Sequence, residues 1–326
     1  MRAKLITLFG LILFLPISAA FADSIGEVNQ LVVFGDSLSD TGNAAFFTGG
    51  VIPGPPTNYA VGRVTDGPNT TPATTGPFGL WVDQFAPKIN VADPGPGFTP
   101  AGGTNYAVAT ADTGSNSLYF VSDQVALYLS SVGLGKASPA ALYTIWAGAN
   151  DIADGKNPIT AADNLYNNIL ALSGNGAKYF LWFDLPPLGQ TPDALKAGPA
   201  AIAAGNAASS AFNAEWSADV AKLQSQGIHV IPVYVDLLFD QIESNPSAYG
   251  FTNITDSAQG NASVNPNDYL FWDGEHPTTA ADALLANLAE QDFLAAPEPA
   301  NLALAFVGLV LVCAAYRSRQ ANRFRI

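Results

Sequence analysis

Leu31-Val32-Val33-Phe34 leads without a break into Gly35-Asp36-Ser37-Leu38-Ser39-Asp40-Thr41-Gly42-Asn43. A short β-branched run that stops at Gly-Asp-Ser reads as a strand entering a turn. Ser37 then sits on the turn between strand and helix, where its hydroxyl can point into a crevice with backbone N–H groups around it. Three further apolar runs occur at 142–146, 179–183 and 228–235, and stretches of helical character fall at 161–172, 200–226 and 277–294. Continuous apolar strands separated by helices indicate a parallel sheet covered on both faces. The expected fold class is therefore α/β: a three-layer α/β/α sandwich of flavodoxin-like type. Five parallel strands are expected, the fifth not identifiable from the sequence. Such sheets bind ligands beyond the carboxyl ends of their strands. The Gly/Pro/Thr-rich stretch from Thr48 to Gly79 predicts a long surface loop near that edge. No internal repeat is evident, and no interdomain linker precedes Ala295.

The two ends read differently from this body. Arg2 and Lys4 precede an apolar run from Leu5 to Ile17, then small residues ending Ala20-Phe21-Ala22, which predicts a signal peptide over residues 1–22. Residues 300–316 are nearly all apolar and are followed by Arg317, Arg319, Arg323 and Arg325, the pattern of a transmembrane helix with a cytoplasmic basic flank. One domain is expected over 23–296, with a tail over 297–326. Across residues 23–299, 27 acidic residues against seven basic ones leave a formal net charge of −20, which repels phosphate backbones and argues against nucleic acid. The single cysteine, Cys313, lies in the tail, so an exported domain folds without disulfides.

The chain has two histidines. His229 lies in an apolar strand and reads as a packed core residue. His276 lies in Phe271-Trp-Asp-Gly-Glu-His-Pro-Thr278, just before a helix that Pro277 is suited to start. Asp273, three residues upstream, can bond one ring nitrogen while the other faces a nucleophile. Ser37, Asp273 and His276 therefore form a candidate catalytic set. Alone, Asp36, Ser37 and Ser39 would as readily cap a helix. No G-x-S-x-G, P-loop or G-x-G-x-x-G is present, and two histidines without a cysteine in the domain make a catalytic zinc site improbable, so no cofactor or metal is expected.

Four blocks in order resemble the SGNH or GDSL esterases and lipases, specifically the long-motif branch (FGDSLSDTGN) with plant GDSL lipases and bacterial secreted esterases. They are Gly35-Asp-Ser-Leu38, Gly102-Gly-Thr-Asn-Tyr-Ala107, Gly148-Ala-Asn-Asp151 and Asp273-Gly-Glu-His-Pro277, with Asp184-Leu-Pro-Pro-Leu-Gly189 as a further stretch. The resemblance implies an SGNH hydrolase fold and a carboxylic ester hydrolase, with Ser37 as nucleophile, His276 as base and Asp273 as its orienting acid. It further implies an oxyanion hole from the N–H groups of Ser37 and Gly103 and the Asn150 side chain. Donors preset around the developing oxyanion supply the largest catalytic contribution of such sites. Without the resemblance, Gly103 could as well be a turn glycine and Asn150 a helix cap. In the family segment similar to Gly62-Arg-Val-Thr-Asp-Gly67 and Trp81-Val-Asp83 the two pieces lie closer together; here residues 68–80 intervene, which bears on substrate access.

Pro297-Glu298-Pro299, the apolar run and the terminal arginines are similar to a PEP-CTERM sorting signal of Gram-negative bacteria. That likeness implies signal peptidase and an exosortase-type protease as processing partners, a transient membrane span, and a product at the cell envelope, surface or outside. The expected substrate is an ester, whether lipid, acylated sugar or small ester. The rival readings are a carbohydrate (acetyl) esterase acting on extracellular polysaccharide and a non-catalytic surface protein that keeps the fold. The intact set of reactive residues speaks against the latter.

Overall fold

In the computed structural model, residues 28–53, 59–67, 78–116 and 119–296 are described. Both expected terminal segments, the signal over 1–22 and the tail with its apolar run, lie outside them. No helix among the described residues is long and apolar enough to cross a membrane.

Strands β1 (Gln30–Gly35), β2 (Ala141–Trp146), β3 (Tyr179–Phe183) and β4 (His229–Val233) form a parallel sheet in that order. Its strands are almost wholly buried, which is why they read as unbroken apolar runs rather than alternating ones. The expected fifth strand is a finding in itself. Residues 104–108 run parallel to the free edge of β1, through Val33 N–H to the Thr104 carbonyl (2.9 Å), Tyr106 N–H to that of Val33 (2.7 Å) and Val108 N–H to that of Gly35 (3.1 Å). Only an isolated bridge to β1 forms here, because the Gly35 N–H that would continue the ladder goes to the Gln124 side chain instead. This is the second position of a 2-1-3-4-5 doubly wound order, filled by a segment too irregular and polar to read as a strand. Two later strands, β5 (Asn253–Ser257) and β6 (Tyr269–Phe271), pair with each other in a separate small parallel sheet.

Helices cover both faces of the main sheet. On one side α3 (Val121–Val132), α5 (Pro158–Gly174) and α7 (Pro199–Ser225) enclose a continuous core with Val32, Phe34, Tyr143, Ile145, Phe180 and Trp182 of the strands. On the other, α2 (Trp81–Lys88) packs against α9 (Thr279–Ala295), and Trp81 meets Phe183 at 4.5 Å and Trp146 at 6.1 Å between ring centroids. Aromatic side chains bury the largest apolar area per residue, so these rings carry much of the packing on that face. Short helices α1 (Asn43–Thr48), α4 (Ala149–Ala153) and α6 (Pro192–Ala197), with α8 (Val235–Ser244), occupy connections. The expected helices match α5, α7 and α9 to within a few residues. The C-terminal one, however, starts at Thr279 behind a Thr278 cap that accepts the Ala281 N–H, not at Pro277. Pro277 instead bridges Phe271, which closes the loop carrying His276.

Most of the described part of the expected surface loop is not peripheral. Ala60, Thr65 and Asp66 are buried. Asp66 accepts the Thr279 N–H at the start of α9 (2.6 Å), and the Thr65 hydroxyl donates to the Pro277 carbonyl (3.0 Å). Arg63 donates two bonds to the Asp83 carboxylate, at 2.7 and 2.6 Å. This paired, mostly buried contact rejoins the two pieces that residues 68–80 separate in sequence.

Candidate active site

Ser37 lies two residues past Gly35, the last residue of β1. A β-carbon at Gly35 would collide with the Trp146 carbonyl oxygen of the adjacent strand, so only glycine lets the two strands close there. The buried Gln124 side chain holds this strand end on both sides, accepting the Gly35 N–H (3.0 Å) and donating to its carbonyl (2.8 Å). Asp36 then folds back to accept the Leu38 N–H (3.0 Å), an Asx turn that presents Ser37 outward.

His276, 239 positions away, and Asp273 complete the arrangement. Ser37 Oγ is 2.8 Å from His276 Nε2, and His276 Nδ1 is 2.9 Å from both oxygens of Asp273. A carboxylate facing Nδ1 keeps the proton there, so Nε2 is left as the acceptor for the serine hydroxyl. Asp273 Oδ1 also accepts the N–H groups of Glu275 (2.9 Å) and His276 (2.8 Å), a tight turn that explains the three-residue spacing. Burial opposes ionisation of Asp273, but the His276 hydrogen bond and charge, with those two N–H groups, outweigh it and hold the carboxyl at about 2. Burial likewise lowers the His276 pKa, and the Asp273 bond and charge, with Glu275 and Asp36, overcome it and raise it. Beside Ser37, Asp36 is pushed up to about 7 by burial, against the Leu38 N–H and the His276 charge.

Asn150 reaches the same cavity from α4 and does not cap a helix. The N-cap residue is Gly148, at φ 126°, a conformation that favours glycine, and a β-carbon there would strike the Phe212 ring. The Asn150 Nδ2 donates to the Ala111 carbonyl (3.0 Å), and its second proton has no acceptor among the described residues. Next to it, Asp151 accepts both the N–H (2.8 Å) and the hydroxyl (3.0 Å) of Thr113. The Gly-Ala-Asn-Asp block thus clamps residues 111–113.

Gly103 is not brought to Ser37. Asn105 pairs with Val33, so Gly103 falls opposite Leu31, roughly 13 Å of strand short of Gly35 at about 3.3 Å per residue. Its neighbours are the carbonyls of Gly95 and Pro94. The part of this segment that reaches the sheet's carboxyl edge is residues 109–111. There Thr110 has φ 70°, a left-handed conformation uncommon for a side-chain-bearing residue outside functional or strained sites. The Ala109 N–H is taken by Asp40 (2.8 Å) and that of Ala111 by the Val108 carbonyl (3.1 Å). The exposed Thr110 has no such acceptor among the described residues. Sequence reasoning missed Thr110 because the glycine expected to take such a conformation stands elsewhere in the block.

Ser37, His276 and Asn150 open on one cavity of about 220 Å³. Its walls are mainly apolar, with Leu38, Ile152, Leu188, Phe239 and Phe271 among them, and Asp193 and Glu275 are the exposed carboxylates lining it; among the described residues no lysine or arginine does. The Pro186-Pro187-Leu188 wall is fixed by polar groups of α7: Asn213 exchanges two hydrogen bonds with Leu185, and Ser209 accepts the Leu188 N–H. His229 lies elsewhere, at the start of β4 against the Tyr179 ring. Among the described residues one carboxylate trio lies close enough to hold a metal ion: Asp163, Glu215 and Asp219 on α5 and α7, none of which lines the cavity.

A base acts only while neutral, and the His276 pKa is raised, so any Ser37-dependent turnover should climb through a pH above the ordinary imidazole value of about 6.5. A pH–kcat/KM profile checks this. A plateau already reached at pH 6 would contradict the environment described for His276.

The model of GDSL-like lipases and acylhydrolases matches residues 31–289. A phosphatidylcholine-sterol acyltransferase of Aeromonas hydrophila is 32% identical over 204 residues, 60% of this chain and 54% of that protein. Esterase EstA of Pseudomonas aeruginosa is 30% identical over 308 residues, 79% of this chain and 46% of that protein. A GDSL esterase/lipase of Arabidopsis thaliana is 28% identical over 322 residues, 80% of this chain and 86% of that protein. The chain thus spans about half the length of the first two. A solved member of the lipolytic G-D-S-L family from Veillonella parvula, 15% identical, aligns over 82% of this chain and all of that one with a TM-score of 0.45. The matched span takes in Ser37, Asn150, Asp273 and His276 and most of the chain, and the chain belongs to the GDSL-like lipase/acylhydrolase family.

Proposed function

We propose that the protein hydrolyses carboxylic esters through an acyl-enzyme on Ser37. The observation that carries this is the unbroken hydrogen-bonded chain Ser37–His276–Asp273 opening on an apolar cavity. His276 Nε2 takes the Ser37 proton as Oγ bonds to the carbonyl carbon, and the carbonyl electron pair moves onto oxygen. The Ser37 N–H, the free proton of Asn150 Nδ2 and the Thr110 N–H are the donors for that oxyanion. Collapse breaks the ester C–O bond, and the imidazolium protonates the departing alkoxide. A water deprotonated by the same nitrogen then releases the acid and restores Ser37. Asp273 stays ionised throughout and balances the imidazolium.

The apolar wall suits an acyl chain, each buried methylene contributing about 0.8 kcal/mol. The exposed carboxylates of the cavity lining, Asp193 and Glu275, have no lysine or arginine beside them among the described lining residues, so uncharged esters fit better than phosphate-bearing ones. We also propose that the domain works outside the cytoplasm, after signal peptidase cleavage behind Ala22 and removal of the tail by an exosortase-type protease. Peptide mass spectrometry of the native protein checks this: intact protein ending at Ile326 and confined to the inner membrane would make the tail an ordinary anchor.

A panel of aryl esters of graded acyl length, run beside acetylated polysaccharide, tests the reaction. Ser37→Ala should abolish turnover with the fold retained. Asn150→Ala should lower kcat by roughly 10²–10³ with KM little changed. Faster release of acetate from polysaccharide than from any aryl ester would move the substrate to carbohydrate. Undiminished turnover by Ser37→Ala would overturn the mechanism.

A further inference from the structure

Behind the triad stands a group that neither the motif blocks nor the mechanism uses. The Tyr59 hydroxyl donates to Asp273 Oδ2 at 3.0 Å, on the oxygen that no backbone N–H reaches. The contact is built. The Tyr59 ring stands edge-on to Trp272 at 6.2 Å and packs against the small apolar cluster of Ala44, Val64, Val108 and Ala109. The next residue, Ala60, is buried and its N–H donates to the Thr65 carbonyl (2.9 Å), and Arg63 and Asp66 tie the segment to α2 and α9. The Gln259 side chain near the phenol lowers its pKa, against the larger effect of burial, and the Gln259 N–H donates to the Trp272 carbonyl (2.7 Å). Burial and the Asp273 charge push the Tyr59 pKa up to about 12, so the hydroxyl remains a donor wherever the enzyme would work.

Every charged group facing His276 is negative: Asp273 across Nδ1, Glu275 on the same loop, and Asp36 from the end of β1, itself facing Asp151 from α4. Each of them favours the protonated imidazole, which cannot act as base. Tyr59 works in the opposite sense, because a donor that shares the Asp273 charge weakens its pull on His276. Resting on the serine hydrolase reading above, we infer that Tyr59 is a positioning residue that sets the basicity of His276 through Asp273, so that the imidazole is neutral at lower pH than its acidic surroundings would allow.

Tyr59→Phe removes the donor and keeps the ring on Trp272. The acid limb of its pH–kcat/KM profile should move to higher pH. The loss should be about threefold below the limb for each half unit of displacement, and should fade above it, where His276 is neutral in both proteins. A merely structural role would lower activity by the same factor at every pH. Gln259→Ala, which only weakens the phenol as a donor, should move the limb the same way by less. The limb staying in place in both variants, or moving down, would overturn the inference. Wild-type ester turnover and its loss in Ser37→Ala test the hydrolase reading separately, so the two can fail apart.

Discussion

Everything at this site depends on how β1 ends. At Gly35 the backbone must pass the Trp146 carbonyl closely enough to exclude any side chain, while Gln124 and Val108 take up its polar groups. An exposed turn that began from a loose strand end would not hold a hydroxyl within hydrogen-bonding distance of an imidazole from the far end of the chain. Because the Gly35 groups are buried, leaving them unpaired would cost about 1–3 kcal/mol each. The polar residues just after Ser37 extend this control outward. Asp40 accepts N–H groups from Gly42, Asn43, Ala44 and Ala109. Asn43 donates to the carbonyls of Asn105 and Ala107, and Asn105 donates back to Ser39. The nucleophile turn and the 104–111 segment are thereby one hydrogen-bonded unit, clamped at its other end by Asn150 and Asp151.

That network explains what was legible in the sequence and what was not. The strands and long helices were legible because parallel strands buried on both faces must be apolar throughout, and α5, α7 and α9 are long enough to show their character. Ser37, Asp273 and His276 were legible because a turn after a strand, and a base three residues from its acid, are local patterns. The fifth sheet position was not, since residues 104–108 pair with β1 while spending their side chains on the nucleophile loop. Gly103 was misplaced for the same reason. Register counted from Asn105–Val33 puts the carboxyl edge at 109–111, and nothing local in the sequence gives that register. Tyr59 and the strap through Arg63, Thr65 and Asp66 escaped because Gly, Pro and Thr suggest a solvated loop, whereas here these residues cross to partners some 20 to more than 200 positions away.

The electrostatic setting is one-sided. The domain is strongly acidic, and the carboxylates nearest the imidazole include one, Asp36, whose pKa burial pushes up to about 7. Charge of this sign would stabilise an imidazolium formed during reaction and also raises the pKa of the resting imidazole. The serine–histidine pair is therefore a balance between two uses of the same field. Among the described residues lining the cavity, which are mainly apolar, there is no lysine or arginine to offset this charge.

Covalent labelling tests the central claim most directly. Treated with a p-nitrophenyl alkylphosphonate, the wild-type protein should gain one phosphonyl group per chain, and peptide mapping should place it on Ser37. The same reagent should react far more slowly with His276→Ala and at an unchanged rate with His229→Ala. An adduct on another residue, or equal labelling when His276 is absent, would contradict the account.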